Sequence, residues 1–501
     1  MEYECPAVKA DKAIASSYGV SQSATAFADV PGTCDARQRL VPWQSLFLLV
    51  LGVLIVWALC SPPSLQKTFV IGTWIALYTF NNLYRYWLAI QSVLAERAGE
   101  TVPSHAPPLD DDALPTYTIL LPLRHEAPVV PQLIQSIRAL DYPAEKLQVL
   151  CLLRPDDTET LGALAQCGVT ENGQNSEEQP GTPAIQILLL PSELPVGTKP
   201  AACNWGLKHT TGELLVIYDA EDIPEPKQLR DAAAALNALP DDVACVQSSK
   251  KVYNGATNWL TRLYELEALT WHRLQLPGVM AREKMAPLHG SGVHFRTTVL
   301  RELNGWDFYN VAEDCDLGVR LARHGYRIVS IASLTGEEAP TTLRGWMGQR
   351  TRWNKGYVQS FLVHTRNPFC LLQELRFRRT LSFVTLTGIT FLNLLIGLPT
   401  WLGALAWGTI HKLRAGEILT HMNVAPEGTR DAALLIGSAI VLLLMAALLQ
   451  AAGAIIARQW KLVPYGLLVP LYWVLLGIAV WRSFWQLVFQ PFGWEKTTHG
   501  S

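Results

Sequence analysis

The string Asp219-Ala220-Glu221-Asp222 places three carboxylates directly after an apolar run of the chain. Mg²⁺ and Mn²⁺ prefer oxygen ligands, so an acid cluster at the end of a strand can hold such an ion against a diphosphate. Asp219 is the first candidate ligand, and either Glu221 or Asp222 is the second. The alternative is a solvated turn, which short acidic strings before a proline usually form.

A second string, Gln349-Arg350-Thr351-Arg352-Trp353, combines an amide, a guanidinium and an indole. Tryptophan presents a flat apolar face on which a sugar ring can stack, and arginine can face a diphosphate. Gln349, Arg352 and Trp353 are therefore the candidate contacts at the acceptor end of a sugar site. The alternative is a basic amphipathic helix on a membrane surface, which explains the charges but not the Gln-x-x-Arg-Trp spacing.

Between these strings lies Ala312-Glu313-Asp314. Asp314 is the candidate general base, because a carboxylate within hydrogen-bond reach of a hydroxyl can take its proton as the oxygen attacks. The same acids also favour the N-terminus of a helix running to Arg323, and both interpretations can hold together. Asp316 is interpreted as structural.

The order of the three strings resembles that of the processive family-2 glycosyltransferases, the group that contains cellulose, curdlan, chitin and hyaluronan synthases. The resemblance runs from about Pro115 to His364. The family usually has Asp-x-Asp and Thr-Glu-Asp, so the acid string of this chain and its Ala312 are departures. The resemblance implies an inverting transfer of hexosyl units from a UDP-sugar, with UDP-glucose first, to a growing β-glycan. It also implies Mg²⁺ or Mn²⁺ as cofactor, Asp314 as base and Glu313 as an acceptor contact.

Four further positions match donor contacts of that family and are expected to bind the nucleotide sugar. They are Glu126 after the first strand, the acidic pair Asp156 and Asp157 after the second, and Lys199. Lys199 has an alternative interpretation, because a lysine at the start of a helix is commonly exposed.

The chain has 501 residues, of which 49% are hydrophobic, and a formal net charge of −2. Without an excess of basic residues, nucleic acid is excluded as a partner. Short apolar runs alternate with helical stretches, which predicts an α/β domain with a mostly parallel sheet, and the resemblance implies the GT-A-like nucleotide-sugar type. The predicted strands are Tyr117–Leu121, Leu147–Leu153, Ile185–Leu190, Leu214–Tyr218 and Val243–Gln247.

Several stretches are long and apolar enough to cross a bilayer, for which about 20 residues suffice. Four contain no charge, and a fifth carries only Arg85: Val41–Cys60, Leu381–Ile410, Ala432–Ala457, Leu462–Trp481 and Phe69–Ile90. The cluster Arg376, Arg378 and Arg379 precedes the third stretch and marks its flank as cytosolic. The sequence thus predicts a multi-pass protein of the plasma (inner) membrane with a cytosolic catalytic domain between transmembrane helices.

The predicted organisation follows the chain in seven segments. They are a disordered cytosolic tail (1–40), two transmembrane helices (41–92), a linker (93–114), the glycosyltransferase domain (115–366), an interfacial segment (367–380), three or more transmembrane helices (381–489) and a C-terminal tail (490–501). The number of C-terminal spans stays open, because Leu381–Ile410 is either one kinked span or a tight hairpin around Pro399.

The expected partners are a UDP-sugar donor, a glycan or lipid acceptor and membrane lipid; export or scaffold subunits stay open. The C-terminal spans would form a channel that translocates the polymer. Two alternatives remain at this stage. One is transfer of a single sugar to a lipid acceptor, and the other is a non-catalytic membrane scaffold or transporter subunit.

Overall fold

The structure is a computed structural model that describes residues 35–60, 65–98, 107–169, 183–192, 194, 198–283, 285–418, 429–493 and 495. The predicted tail lies almost entirely outside these residues, and so does the middle of the predicted linker.

Eight strands form one sheet. In chain order they are β1 (Tyr117–Pro122), β2 (Leu147–Leu153), β3 (Ile185–Leu189), β4 (Leu214–Ile217), β5 (Ile223–Pro224), β6 (Val243–Val252), β7 (Val293–Arg296) and β8 (Arg327–Glu337). Their spatial order is β3-β2-β1-β4-β7-β6-β8-β5. The first four strands in that order are parallel, β7 is antiparallel to both of its neighbours, and β6 and β8 are parallel. The predicted α/β fold with a GT-A-like, mostly parallel sheet is therefore confirmed, with β5, β7 and β8 as additions.

Helices pack on this sheet, and further helices come before and after it in the chain. In chain order they are α1 (Pro42–Cys60), α2 (Leu65–Arg97), α3 (Val130–Arg138), α4 (Thr158–Gln166), α5 (Lys199–His209), α6 (Gln228–Ala238), α7 (Trp259–Leu269), α8 (Leu276–Glu283), α9 (Thr297–Glu302), α10 (Glu313–Arg323), α11 (Leu343–His364), α12 (Pro368–Phe383), α13 (Thr390–Ile418), α14 (Thr429–Ile456) and α15 (Val469–Phe489). Two π-helical turns, Thr270–Gln275 and Val384–Ile389, join α7 to α8 and α12 to α13. Short 3₁₀ helices occupy Asp111–Ala113, Ala144–Lys146 and Trp460–Leu468.

The central strands are buried on both faces, which explains their continuous apolar runs. Ile119 of β1 belongs to one core layer and Leu120 to the opposite layer, as the alternation of a strand requires. In register, Ile119 lies beside Val149 of β2 and Val216 of β4. The carboxyl ends of β1, β2 and β4 therefore meet at one edge of the sheet.

Three helical segments among the described residues are long and apolar enough to cross a membrane: Pro368–Gly403, Ile436–Ile456 and Trp460–Phe489. Helices α1 and α2 form where the sequence predicts the first two spans. Pro399 lies inside the continuous helix α13, so the third predicted span is one helix and not a hairpin. The predicted interfacial segment is helical but breaks at Arg376, whose φ is +61°.

Candidate active site

One cavity of about 670 Å³ begins at the carboxyl edge of the sheet and continues between helices α2, α13, α14 and α15. Charged side chains of the sheet domain line its first part: Glu126, Lys199, Asp219, Glu221 and Asp314. Polar and aromatic side chains of the apolar helices line the other part: Asn81, Asn393, Gln450, Tyr472 and Trp473. The candidate chemistry and the helix bundle therefore share one cavity.

The acid string forms a tight turn directly after β4, and its three carboxylates have different surroundings. The Asp219 carboxylate lies 2.5 Å from the Lys199 ammonium. The Asp222 carboxylate is buried, accepts the backbone N–H of Asp219 at 2.8 Å and pairs with Lys250 at 2.8 Å. Because both oxygens of Asp222 are already used within the protein, Asp219 and Glu221 are the better candidates for a ligand in the cavity.

The carboxylates of this turn repel one another. Burial and the carboxylates of Asp219 and Asp222 raise the pKa of Glu221 well above its usual value. Burial also disfavours the charge of Asp219, but the Lys199 ammonium holds the pKa of that carboxyl below its usual range. A bound cation would relieve the repulsion between these acids.

The donor set suits a divalent metal that is shared with a substrate. No group of three or more His, Cys, Asp or Glu side chains in the described part of the chain is arranged to hold a metal ion alone. Mg²⁺ commonly takes one or two protein carboxylates and completes its shell with water and substrate phosphates. Asp219 and Glu221 fit that pattern.

Asp314 lies in the first turn of α10, where its Oδ1 accepts the backbone N–H of Cys315 at 2.8 Å. Burial raises the pKa of Asp314 to about 6, and the charge of Asp219 acts in the same direction. Burial likewise raises the pKa of the neighbouring Glu313 to about 7. The helix start and the base position are therefore compatible, because the carboxylate that begins the helix also lines the cavity.

Asp316 has the structural role expected from the sequence. It is buried and bonded to Arg320 at 2.8 Å and to His364 at 3.0 Å. Burial opposes its charge, but the Arg320 and His364 contacts lower the pKa of Asp316 to about 2.

Lys199 and Gly290 connect the acid string with Asp314. The Lys199 ammonium donates to the carbonyl oxygen of Gly290 at 2.9 Å, in addition to its contact with Asp219. Gly290 has φ +78°, and a Cβ there would lie 3.2 Å from Oδ2 of Asp314. Only glycine adopts this backbone freely and leaves the space beside the carboxylate open. Asp219 and Asp314 thus belong to one wall of the cavity.

The Gln-x-x-Arg-Trp string lies on α11, between the sheet domain and the apolar helices. Gln349 is buried, and its Oε1 makes no hydrogen bond with any described residue. The Arg352 side chain lines the cavity and donates to the carbonyl oxygen of Glu495 at 2.8 Å. Trp353 also lines the cavity, and the guanidinium carbon of Arg350 lies 4.5 Å from its ring centre. The three predicted acceptor residues of this string therefore lie together.

A buried polar network holds Arg350 in place. Its guanidinium contacts Glu267 at 2.5 Å and the Tyr472 hydroxyl at 3.1 Å. The indole N–H of Trp346 donates to the same hydroxyl at 3.0 Å. Arg350, held by this network, packs against the Trp353 ring and orients it. Neither Glu267 nor Tyr472 was predicted from the sequence.

Helix α11 passes very close to the loop that carries the base. A Cβ at Gly356 would lie 2.3 Å from Cβ of Ala312 and 2.5 Å from its backbone nitrogen. Because backbone meets backbone, only glycine fits at position 356. This contact fixes the distance between the acceptor string and Asp314.

The four predicted donor contacts divide into two groups. Glu126 and Lys199 line the cavity, together with Arg154. Asp157 is buried, caps the N-terminus of α4 by accepting the N–H of Thr160, and also accepts the N–H of His125. Asp156 is exposed and pairs with Arg154 at 3.1 Å. Both aspartates lie outside the cavity lining, so their nucleotide contacts stay a prediction.

Sequence reasoning missed several other residues of the wall. Lys250 and His272 line the cavity, but neither of them belongs to a recognisable string. His289 also lines it and belongs to the string His289-Gly290-Ser291-Gly292, which predicts either a close approach of backbone to the acceptor or a plain tight turn. Lys250 pairs with Asp222, and His272 lies on the π turn Thr270–Gln275.

The model of "Glycosyl transferase family group 2" matches residues 214–494, more than half of the chain. The probable glycosyltransferase YdaM of Bacillus subtilis (strain 168) is 26% identical over 245 residues, which are 48% of this chain and 55% of that protein. The β-monoglucosyldiacylglycerol synthase of Synechocystis sp. is 25% identical over 308 residues, 58% of this chain and 61% of that protein.

Glucomannan 4-β-mannosyltransferase 1 of Oryza sativa subsp. japonica is 25% identical over 267 residues, 52% of this chain and 49% of that protein. The chain therefore spans about half to three fifths of the length of these curated relatives. Among solved structures, the mannosyltransferase PcManGT from Pyrobaculum calidifontis, in complex with GDP-Man and Mn²⁺, is 19% identical. That match covers 83% of this chain and 99% of that one, with a TM-score of 0.49.

Proposed function

The chain belongs to glycosyl transferase family group 2, and we propose that it transfers hexosyl units from a UDP-sugar to the growing end of a β-glycan, with inversion. UDP-glucose is the first donor that we propose. The supporting observation is that Asp219, Glu221 and Asp314 line one cavity, with Lys199 between them.

In the proposed reaction a hydroxyl of the acceptor attacks the anomeric carbon of the donor from the side opposite the diphosphate. The new carbon–oxygen bond forms as the bond to UDP breaks, and UDP leaves. Asp314 takes the proton of the attacking hydroxyl. Lys199 and Arg352 add positive charge near the departing diphosphate, and Trp353 holds the acceptor ring.

We propose that Asp219 and Glu221 hold Mg²⁺ or Mn²⁺, which would neutralise the charge of the diphosphate. Asp222 would then fix the shape of the turn through Lys250 and not bind the ion itself. Glu126, Asp156, Asp157 and Lys199 remain the proposed contacts of the nucleotide sugar, and Glu313, Gln349, Arg352 and Trp353 those of the acceptor.

Processive elongation and translocation are supported by the continuity of the cavity. Asp314 of the sheet domain and Asn393 and Gln450 of the apolar helices line the same cavity, so one space connects the proposed base with the helix bundle. We propose a multi-pass protein of the plasma membrane with the organisation predicted from the sequence. The arginines at 376, 378 and 379 support a cytosolic position of residues 115–366.

The test is release of the nucleoside diphosphate by membranes that contain the full-length protein: UDP from UDP-glucose, UDP-galactose or UDP-N-acetylglucosamine, and GDP from GDP-mannose. We expect release with UDP-glucose and at least a hundredfold less with Asp314→Asn. Turnover of GDP-mannose alone would refute the UDP-sugar assignment. Unchanged release by Asp314→Asn would refute the assigned base and favour a non-catalytic scaffold.

A lipid acceptor is the second candidate, because the cavity extends between apolar helices that could admit an acyl chain. Radiolabelled product separates the two candidates. Material that grows beyond one added sugar supports the glycan acceptor. Material that stays in the organic phase and carries one sugar supports the lipid acceptor and refutes processive elongation.

A further inference from the structure

A chain of five buried polar side chains joins three helices behind the proposed base. Arg323 of α10 donates to Glu374 of α12 at 2.6 Å, and its guanidinium also lies 3.0 Å from Nδ1 of His364 on α11. Nε2 of the same ring lies 3.0 Å from Asp316 of α10, which accepts from Arg320 at 2.8 Å. At most 15% of each side chain is exposed. A buried ionic network does not by itself stabilise a protein more than apolar packing would, so it points to a more specific role.

The partners of His364 determine which of its nitrogens carries hydrogen. An arginine only donates, so the contact with Arg323 makes Nδ1 of His364 the acceptor. Nε2 therefore carries the hydrogen and donates it to Asp316. Burial lowers the pKa of His364, in agreement with a neutral ring. The two arginines and the two carboxylates of the chain balance each other, with the imidazole as an uncharged bridge.

Helix α11 holds the start of α10 at two points. The first is the close contact of Gly356 with Ala312, the residue that precedes α10. The second is the bond from His364 to Asp316. The two points are eight residues apart on α11, which is about 12 Å along the helix axis. The first contact alone would leave α10 free to turn about Ala312, and the second fixes the angle between the two helices.

This angle sets the position of the proposed base. Asp314 lies between the two anchored residues of α10, and its Oδ1 accepts the backbone N–H of Cys315, so the carboxylate moves with the helix. The acceptor string Gln349–Trp353 lies on α11. The angle between α10 and α11 therefore controls the distance from the Asp314 carboxylate to a hydroxyl that is held by Trp353. A misplacement of about 1 Å can cost on the order of a hundredfold in rate.

We propose that His364 is a positioning residue for the base: by donating to Asp316 it fixes α10 against α11 and so holds the Asp314 carboxylate at the acceptor hydroxyl. Arg323 and Glu374 act on the other side of the ring and orient it. The inference rests on the proposed function and adds to it a residue that lies outside the cavity lining. His364 does not take part in proton transfer.

Two substitutions separate the two nitrogens of the ring. His364→Gln places an amide nitrogen near the position of Nε2 and can still donate to Asp316. His364→Asn places its amide oxygen near the position of Nδ1, so it can accept from Arg323 but is too short to reach Asp316. Both side chains are neutral and polar, so the pair differs mainly in the contact that the proposal requires.

The measurement is kcat and KM for nucleoside diphosphate release by the full-length protein in nanodiscs, per folded molecule. The substrate is whichever of the four donor sugars named above is turned over fastest. We expect His364→Asn to lower kcat about ten- to hundredfold with the KM of the donor unchanged, and His364→Gln to stay within about threefold of the wild type. Equal kcat in the two variants would overturn the positioning role.

A second variant covers the case that His364→Asn does not fold. Asp316→Glu keeps the carboxylate for His364 and Arg320 but lengthens the side chain by one carbon, so α10 has to shift. Its kcat should also fall at an unchanged KM, and a wild-type kcat would contradict the proposal.

His294 supplies the matched control. It is also buried, and its Nδ1 lies 2.6 Å from the Tyr117 hydroxyl in the core of the sheet. His294→Asn should lower the temperature of thermal unfolding but leave kcat per folded molecule unchanged. If it lowers kcat as much as His364→Asn does, the loss reflects general loosening of the domain and the positioning role is rejected.

Asp314→Asn, measured alongside, distinguishes this inference from the proposed function. If Asp314→Asn is as active as the wild type, the assigned base fails and the positioning role fails with it. If Asp314→Asn is inactive while the two His364 variants are equally active, only the positioning role fails.

Discussion

The guanidinium of Arg352 donates to the backbone carbonyl oxygen of Glu495 at 2.8 Å, although 143 residues separate the two in the chain. The segment after the last apolar helix therefore returns to α11. Lys355 donates to the carbonyl oxygen of Gly493 at 2.6 Å, and Gln359 to that of Pro491 at 3.0 Å. The residue that faces the diphosphate in the proposed reaction is thus held by the segment that follows α15.

Lys355→Met tests whether this segment positions Arg352. The substitution leaves the carbonyl oxygens of Gln490 and Gly493 without their donor, which should lower stability by about 1–3 kcal/mol. Thermal unfolding measures that loss. UDP release should fall more than the loss of folded protein explains, and the KM of the UDP-sugar should rise. The exposed Lys461 gives the control, and an equal effect of Lys461→Met would contradict the positioning role.

The pH dependence of turnover should report the burial of Asp314. A general base must be ionised, and burial raises the pKa of Asp314 to about 6. We therefore expect kcat/KM for UDP release to be constant above about pH 7 and to fall about tenfold for each pH unit below 6. An acid limb near pH 4, the usual carboxylate value, would show that burial does not act on this base.

Removal of divalent metal should abolish turnover, and Mg²⁺ or Mn²⁺ should restore it. Asp219→Asn should raise the metal concentration required for half-maximal UDP release, with little effect on thermal stability. Asp222→Asn should instead destabilise the protein by about 3 kcal/mol, because Lys250 would keep a buried charge without its carboxylate. Full turnover in EDTA would refute the metal, and identical effects of the two substitutions would refute their separate roles.

Gly290→Ala should inactivate the protein by crowding its base. Its φ of +78° costs a non-glycine residue about 1–2 kcal/mol, and the new Cβ would lie 3.2 Å from the Asp314 carboxylate. Gly325 is a matched control, because its φ is +87° and nothing lies within 4 Å of a Cβ there. Both variants should lose similar stability in thermal unfolding, and only Gly290→Ala should lose UDP release. Equal activity in the two would remove Gly290 from the site.

Trp353→Ala should shorten the product or eliminate it, because the acceptor ring loses the surface on which it stacks. The UDP-sugar should still bind with its usual affinity. Gel filtration of radiolabelled product and a binding measurement for UDP check the two effects separately. If nucleotide binding falls as much as product formation, Trp353 belongs to the donor side.

The sequence predicted the parts of the site that depend on strand ends. Asp219 and Glu126 follow β4 and β1, and parallel strands bring such ends together without detailed knowledge of side chains. The antiparallel β7 was missed, because its four residues are too short to be distinguished from a loop by pattern alone. The fold class was predictable, whereas the UDP-sugar donor, processive elongation and translocation stay predictions.

The roles of the other site residues depend on contacts between residues that are far apart in the sequence, and no local sequence pattern predicts such contacts. Asp222 has the carboxylate that a metal ion prefers, but Lys250, 28 residues away, already donates to one of its oxygens. Asp157 resembles a nucleotide contact but caps α4.

Deleting one residue from either π turn would change the side chains that line the cavity. Leu386 and Thr387 of the turn Val384–Ile389 line the cavity, as Trp271 and His272 of Thr270–Gln275 do. A π turn holds one residue more than an α turn, so deleting one residue would restore a regular helix, change which side chains of that turn face the cavity and leave the helix beyond it in place. Such a deletion would present a different set of side chains to the acceptor while the carboxylates stayed in place. Homologues with new acceptors would then differ by single-residue gaps in these turns, and their acids would be the same.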